Sequence, residues 1–257
     1  ILRNDKYFKK VYLFLYKYKA HFIDRLDRKR IYNFVNVYKN KKVIFKILDM
    51  GKITRYRAVT FEDKEPETLN WIESFYPKDN FLDIGANIGI YSIYAAKNKI
   101  KKVISIEPDA LNYALLNINT KENKFNHIIT PYCLAVHDIN KFSELNFSSF
   151  NWGGAENSFD NQFDFNGKEY KPVHKQGIYG VRLDSFLSEI KFKPNHIKID
   201  VDGNEHLILI GARETLKSKE LKSLLIELNE ARKDYKDSLH LINSAGFKLT
   251  RKCYVSS

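Results

Sequence analysis

The run Asp83-Ile84-Gly85-Ala86-Asn87-Ile88-Gly89, with Glu107 following 24 residues after Asp83, constrains the fold of this chain more than any other feature. Phe81 to Ile84 is a short apolar run that predicts a buried strand, and Gly85 to Gly89 predicts a tight turn. Ile90 to Ala96 predicts the start of a helix and Val103 to Ile106 the next strand. The result is a βαβ unit with a glycine turn at its first strand-to-helix junction, where open α/β sheets bind nucleotide-like ligands. Glycines let the backbone come close to a ligand, and an acid ending the second strand can hold two ribose hydroxyls.

The details choose between adenosyl ligands. A dinucleotide site reads G-x-G-x-x-G and offers a helix N-terminus to a pyrophosphate. Here the run is G-A-N-I-G with Asp83 just ahead of it. A carboxylate there repels a pyrophosphate but suits an ammonium or sulfonium group. S-adenosylmethionine carries both groups and no phosphate, so it fits better, and a dinucleotide oxidoreductase fits worst. The plainer alternative is that Asp83 caps a helix and the glycines only form a turn.

A second motif, Ile197-Lys198-Ile199-Asp200-Val201-Asp202-Gly203-Asn204-Glu205, opens with another buried strand. Strand alternation puts Lys198, Asp200 and Asp202 on one face near its carboxyl end. Gly203 then turns the chain into a helix bearing Leu207, Ile208 and Ile210. Crowded ionisable groups at a sheet edge mark functional sites. The competing reading is that Asp202 or Asn204 caps the helix while Lys198 pairs with Asp200. A further strand, Leu224 to Leu228, carries the acid Glu227 to the same edge.

The rest of the chain is α/β in pattern. Lys42 to Leu48 and Ile53 to Phe61 predict a hairpin around Asp49-Met50-Gly51. Glu67 to Phe75 predicts a helix whose Trp71, Ile72 and Phe75 are core. Asp109 is placed to cap a helix over Ala110 to Asn119. Ile128 to Val136 predicts the third strand, with Ala135-Val136-His137-Asp138 near an adenine and His137 at the surface. Phe142 to Phe147 predicts a strand. Residues 148–180 break the pattern, and their Trp, Tyr, Asn and Gly content suits either a sugar or an ordinary insertion. Lys236 to Ala245 predicts a helix closed by Gly246, and Phe247 to Val255 a last strand.

DIGANIG, the EPD of Glu107 to Asp109, KIDVDGNE at Lys198 to Glu205 and LLIELNE at Leu224 to Glu230 together resemble the FkbM family of S-adenosylmethionine-dependent methyltransferases. The resemblance spans Pro66 to Phe247. The family reads DVEG where this chain has Asp202, which keeps the charge and shortens the reach. It implies a class I, Rossmann-like α/β fold: a mostly parallel sheet with helices on both faces. It also implies O-methylation of hydroxyls on sugars and polyketide-type products. Such a sheet finishes with an antiparallel strand pair, of which the sequence offers one member before Ser257. Carried over to this numbering, Asp83, Gly85, Asn87 and Gly89 line the methionine part of the donor and Glu107 holds its ribose. Ala86, Tyr91, Ser92, Pro108 and Ala135 complete the donor set. Lys198, Asp200, Asp202 and Glu205 form the acceptor side, with Glu227 nearby. A sugar hydroxyl needs a base or a metal to lose its proton, and Asp200 and Asp202 can serve either role. Two carboxylates alone do not establish Mg²⁺, so the metal stays open.

Composition bounds the remainder. At 257 residues the chain holds one α/β domain, residues 61–257, plus a basic helical and hairpin extension over residues 1–60. Cys133 and Cys253 lie far apart in apolar, strand-like surroundings, which points to a reducing compartment and no disulfide framework. No run of 18 or more residues is apolar enough to span a membrane. Residues 1–60 hold 17 Lys/Arg against 4 Asp/Glu, a net of +13, whereas the rest hold 26 against 27. Tyr7 to Tyr18 predicts a basic aromatic helix, and Ile23 to Tyr38 a second one. Three readings stand for this segment: packing on the main domain, contact with an anionic membrane surface or acidic acceptor, and contact with nucleic acid.

The reading that joins these features is an O-methyltransferase for a sugar hydroxyl in bacterial surface polysaccharide or glycan biosynthesis. It would be cytoplasmic, or peripheral at the inner face of the membrane. A nucleic-acid (RNA) methyltransferase using the basic extension is the alternative, opposed by the lack of an N-P-P-Y-like motif and of a basic groove. A non-catalytic, membrane-associated module that keeps only the fold is another. Neither the acceptor nor the oligomeric state follows from the sequence.

Overall fold

The computed structural model describes residues 33–253. The helix expected at Tyr7–Tyr18 and the first part of that expected at Ile23–Tyr38 lie outside the described residues.

The chain enters as a hairpin of β1 (Phe34–Lys39) and β2 (Lys42–Leu48), so residues 34–38 are strand and not helix. Its turn is Asn40-Lys41, with φ of 52° and 62°, the double left-handed geometry of a tight hairpin. The expected hairpin is thus displaced by one element. Asp49-Met50-Gly51 leads instead into α1 (Lys52–Val59). Asp49 accepts the Gly51 N–H at 3.0 Å and pairs with the Arg55 guanidinium, while Thr54 Oγ1 accepts the Met50 N–H at 2.9 Å. These side-chain bonds start a helix where alternation alone predicted a strand. Two further helices, α2 (Phe61–Lys64) and α3 (Pro66–Glu73), lead to the main sheet.

That sheet consists of β3 (Asn80–Ile84), β4 (Lys102–Ile106), β5 (Ile129–Tyr132), β10 (His196–Ile199) and β11 (Ser223–Ile226), in the order β11-β10-β3-β4-β5. All four pairings are parallel. Strand order reverses between β3 and β10, where a doubly wound sheet opens its crevice. The helices α4 (Ile90–Lys97) and α5 (Ala110–Glu122) follow β3 and β4, and Asp109 caps α5 by accepting the Leu111 and Asn112 N–H groups. Phe81 and Val103 share one core with Ile93 of α4 and with Val37, Phe45 and Ile47 of the hairpin. Leu82, Ile84, Ile104, Ile197 and Ile199 pack into a second core with Leu183 and Phe186 of α6 (Leu183–Glu189) and Ile208 of α7 (Glu205–Gly211). Successive residues point to opposite faces, so helices cover both sides. This is the mixed α/β, Rossmann-like architecture expected.

The expected strand Ile128–Val136 is two strands. Pairing with β4 ends at Tyr132, and β6 (Ala135–His137) joins a second sheet with β9 (His174–Arg182), β7 (Lys141–Phe147) and β8 (Ser158–Phe159) in the order β6-β9-β7-β8. His137 is buried against the Phe159 ring, not at the surface. Part of the stretch expected to be irregular is therefore strand β9, whose Gly177 and Gly180 obscure the pattern. Gly180 is needed because a Cβ there would lie 2.5 Å from the Phe159 ring.

After α8 (Arg213–Leu216) and β11, α9 (Tyr235–Ser244) ends as expected: Gly246 is left-handed and donates to the Asn243 carbonyl at 2.9 Å. Residues 247–253 form no strand; Leu249 stays 76% exposed, so the alternation there has nothing to pack against. Cys133 and Cys253 are free, exposed and outside the strands.

Candidate active site

Everything at the site hangs on how closely β3 and β10 approach at their carboxyl ends. The Asp200 N–H donates to the Ile84 carbonyl at 3.1 Å, and the Gly85 and Ala86 N–H groups both donate to the Ile106 carbonyl at 3.0 Å. Gly85 has φ of 80°, and a Cβ there would lie 1.8 Å from the Asp200 carbonyl oxygen. Only glycine lets the two motif loops meet. Asn87 is also left-handed, with φ of 49°. Its N–H donates to Glu107 Oε2 at 2.7 Å and its side-chain amide to the Gly154 carbonyl at 2.7 Å. Gly89 is closed over Leu116 of α5.

Glu107 also accepts the Asp109 N–H, through Oε1 at 2.9 Å. Burial pushes its carboxyl up to about 8, against the pull of those N–H groups. Asp83 lies deeper, fully buried beneath the turn. Its Oδ2 accepts the Ser92 hydroxyl at 2.5 Å, and Ser92 contacts Ser105 at 2.7 Å. Burial raises the Asp83 pKa, although Lys198 opposes the rise. Asp83 and Ser92 thus form a buried polar seam under the Gly85–Gly89 turn, while Gly85, Asn87 and Tyr91 line a cavity above it.

Lys198 is 1% exposed, its ammonium 2.5 Å from Asp200 Oδ2 and 5.1 Å from the centre of the Tyr91 ring. Burial works against its charge, but Asp200 and Asp83 outweigh it and raise the pKa. Asp200 is half-buried, and although burial works against its charge, the Lys198 charge and a hydrogen bond with Glu227 pull its carboxyl down to about 2. Glu227 moves the other way, pushed up to about 8 by burial and by the Asp200 charge. At neutral pH Glu227 is therefore the protonated partner and donates to ionised Asp200. The competing reading in which Lys198 pairs with Asp200 is correct as geometry, and the pair sits on the cavity wall.

The other two acids of the second motif, Asp202 and Glu205, point elsewhere. Asp202 is left-handed, with φ of 60°, and its Oδ2 accepts the Glu156 N–H at 2.7 Å. Burial and Asp200 raise its pKa. Glu205 Oε1 accepts the N–H groups of Gly203 at 3.1 Å and Val201 at 3.3 Å, bracing its own loop, and burial pushes it up to about 7. Among the described residues no three His, Cys, Asp or Glu side chains group as a metal site.

Two cavities flank Gly85. One is walled by Arg57, Lys64, Glu65, Tyr91, Lys198 and Asp200. The other lies against Pro108 and Ala135 and is mostly apolar. The loop from Trp152 to Asn157 bridges them. Asn112 binds both Gly153 N–H and Gly154 carbonyl, at 2.9 and 3.0 Å, and Arg57 Nε donates to the Gly153 carbonyl at 2.8 Å.

The methyltransferase FkbM domain matches residues 83–249, well over half of the chain. The chain belongs to the FkbM family of S-adenosylmethionine-dependent methyltransferases. No curated protein matches it. Among solved structures it is similar to the FkbM methyltransferase of Methylobacillus flagellatus KT, with 21% identity and a TM-score of 0.45, covering 66% of this chain and 37% of that one. A SAM-dependent methyltransferase from Agrobacterium tumefaciens gives 9% identity and a TM-score of 0.48, over 82% and 57%. Precorrin-6y C5,15-methyltransferase from Geobacter metallireducens GS-15 gives 14% and 0.41, over 72% and 71%. The chain thus spans little more than a third of the FkbM structure's length.

The FkbM match begins at Asp83, so Arg57, Lys64 and Glu65 reach the cavity from outside it. The motifs give no sign of them; Arg57 in particular falls in a stretch whose alternation reads as strand. Arg57 is felt by both Glu107 and Asp202, whose ionised forms its charge favours.

Proposed function

We propose that this chain transfers the methyl group of S-adenosylmethionine to a hydroxyl of a sugar, in the building of a bacterial surface polysaccharide or related glycan. The observation that carries the reading is the Asp200–Glu227 carboxyl pair, held beside the Gly85 turn with Lys198 as its counter-charge. A sugar hydroxyl is a weak nucleophile, and an acid–base pair at the mouth supplies what its attack needs.

The residues present fit the donor. It has a flat adenine at one end and a charged amino acid at the other, and the turn separates an apolar cavity from a charged one. Gly85, Ala86, Asn87, Gly89 and Tyr91 would hold the methionine end, Glu107 the ribose, and Pro108 and Ala135 the base. Once bound, the donor supplies a methyl group already activated on a sulfonium. The protein's part is then to align the acceptor oxygen with that carbon, exclude water and take up the hydroxyl proton. Lys198 keeps Asp200 ionised so that it can orient the hydroxyl, and the Asp200–Glu227 pair receives the proton. Asp202 and Glu205 shape the loop carrying this pair.

Peripheral contact with anionic lipid through residues 1–60, at the cytoplasmic face, belongs to the same proposal. It rests on their net +13 charge. The test is transfer of labelled methyl from S-adenosylmethionine to a panel of defined glycans and bulk RNA, with wild type and Asp200→Asn. Label on a glycan, lost in the variant, supports the reading; label on RNA alone overturns it.

A further inference from the structure

Asn157 is a polar group that the motif-based reading leaves without a role. It lies in the loop between β7 and β8 and lines the apolar cavity on the Glu107 side of Gly85. Its neighbours there include Ile84, Ile106, Pro108, Leu134, Ala135 and Phe159. The side-chain Nδ2 donates to Asp109 Oδ2 at 3.3 Å. Because a carboxylate only accepts, this bond fixes which end of the amide is oxygen. Asp109 is itself held in place as the cap of α5, accepting the Leu111 N–H at 2.8 Å. The loop is pinned one residue earlier, where the Glu156 N–H donates to Asp202.

With Nδ2 so engaged, Asn157 Oδ1 is buried and has no hydrogen-bond partner. Buried carbonyl oxygens are almost always satisfied, so an orphan in a cavity wall calls for a donor from a ligand. The other polar side chain lining the cavity, Asn204, is already occupied: its amide donates to the Phe159 carbonyl at 3.3 Å and its oxygen accepts from Asn161 at 3.0 Å. An apolar slot with one free acceptor recognises a flat, apolar ring that bears one N–H donor at its edge. Beside the acid that would hold a ribose, that ring is adenine and the donor its 6-amino group.

The geometry points to Asn157 as the residue that reads the adenine of the methyl donor, through Oδ1 accepting a hydrogen bond from the exocyclic amine. This rests on the donor assignment made above and gives part of the 148–180 segment a donor-side task in place of a sugar-binding one.

The test compares S-adenosylhomocysteine with S-inosylhomocysteine, in which a 6-oxo group replaces the amine and turns an acceptor toward Asn157. Calorimetric titration of wild type should give about tenfold or greater preference for the adenine compound. In Asn157→Ala the two dissociation constants should converge, mainly through weaker binding of S-adenosylhomocysteine. Taking the ratio within each protein cancels any general loosening of the loop. If the variant does not fold, the wild-type ratio decides alone. Equal binding of both compounds by wild type overturns the assignment of Asn157 and leaves the donor reading standing. A preference that persists undiminished in Asn157→Ala also overturns it. Binding of neither compound overturns both the assignment and the donor reading.

Discussion

Lys198 stands in register beside Asp83 on neighbouring parallel strands, yet its ammonium pairs with Asp200, two residues further along the chain and just past the end of β10, at 2.5 Å. The lysine thus ties the buried seam under the Gly85–Gly89 turn to Asp200 on the cavity wall. Lys198→Met removes the counter-charge of both acids and should destabilise the protein by about 3–5 kcal/mol, because a buried charge is left unpaired. Adding Asp83→Asn should return part of that loss, about 1 kcal/mol or more, since the two residues are coupled. Denaturant midpoints of the single and double variants measure this. Strict additivity would show that Asp83 does not feel Lys198.

Gly85→Ala should be among the most damaging one-carbon changes in the chain. The added Cβ meets the Asp200 carbonyl at 1.8 Å, and the backbone is held at φ of 80°. Left-handed strain and overpacking each contribute about 1–3 kcal/mol, so a loss of about 3–5 kcal/mol is expected. Because the two motif loops must part to make room, binding of S-adenosylhomocysteine should fall as well. A variant that melts like wild type and binds as tightly would contradict the close approach.

What the sequence made legible is the part held together by local chemistry. The Gly85–Gly89 turn, Glu107 at the end of β4, the Asp109 cap, Lys198–Asp200 and the Gly246 helix stop lie where expected, since continuous apolar runs ended by turn residues have few other solutions. Asp202 leaves the expected face because the strand ends at Ile199 and its own backbone is left-handed. The hairpin was displaced because its turn, Asn40-Lys41, lacks the glycine that signals such turns, while Asp49-Met50-Gly51 looks like one and starts a helix. Strand β9 was hidden by Gly177 and Gly180, of which Gly180 is dictated by the Phe159 ring across the sheet. Arg57 and Asn157 reach the site through contacts with Gly153 and Asp109, 96 and 48 residues away. No periodicity or motif spacing encodes such contacts.

The carboxyl pair should make the reaction depend on pH. Glu227 is pushed up to about 8, first by burial and then by the Asp200 charge. At pH 7 it is mainly protonated, and the strong base of the pair forms only as the pH passes about 8. The rate of methyl transfer at low substrate concentration should therefore rise with pH and level off above about 8. Glu227→Gln should remove that limb and lower the rate by about 10²-fold. A pH–rate profile of both proteins decides; an identical limb in the variant would assign it to another group.

Glu205 should leave its mark on stability instead. Its folded pKa of about 7 lies above the ordinary 4.5, so the native state keeps a proton that the unfolded chain releases. Stability from this group is complete below about pH 4.5 and is lost as the pH rises toward 7. A tenfold difference in proton affinity between the folded and unfolded chains is worth about 1.4 kcal/mol, which puts the loss at up to about 3 kcal/mol. Glu205→Gln keeps an oxygen to accept the Gly203 and Val201 N–H groups but cannot ionise. Its stability relative to wild type should therefore improve steadily between pH 4.5 and 7 and hold constant above. Glu107 and Glu227 are raised in the same sense, so both proteins should still lose some stability toward pH 8. Denaturant midpoints across that range read out the difference. A gap between the two proteins that does not change with pH would mean that Glu205 is already ionised in the folded state at pH 5.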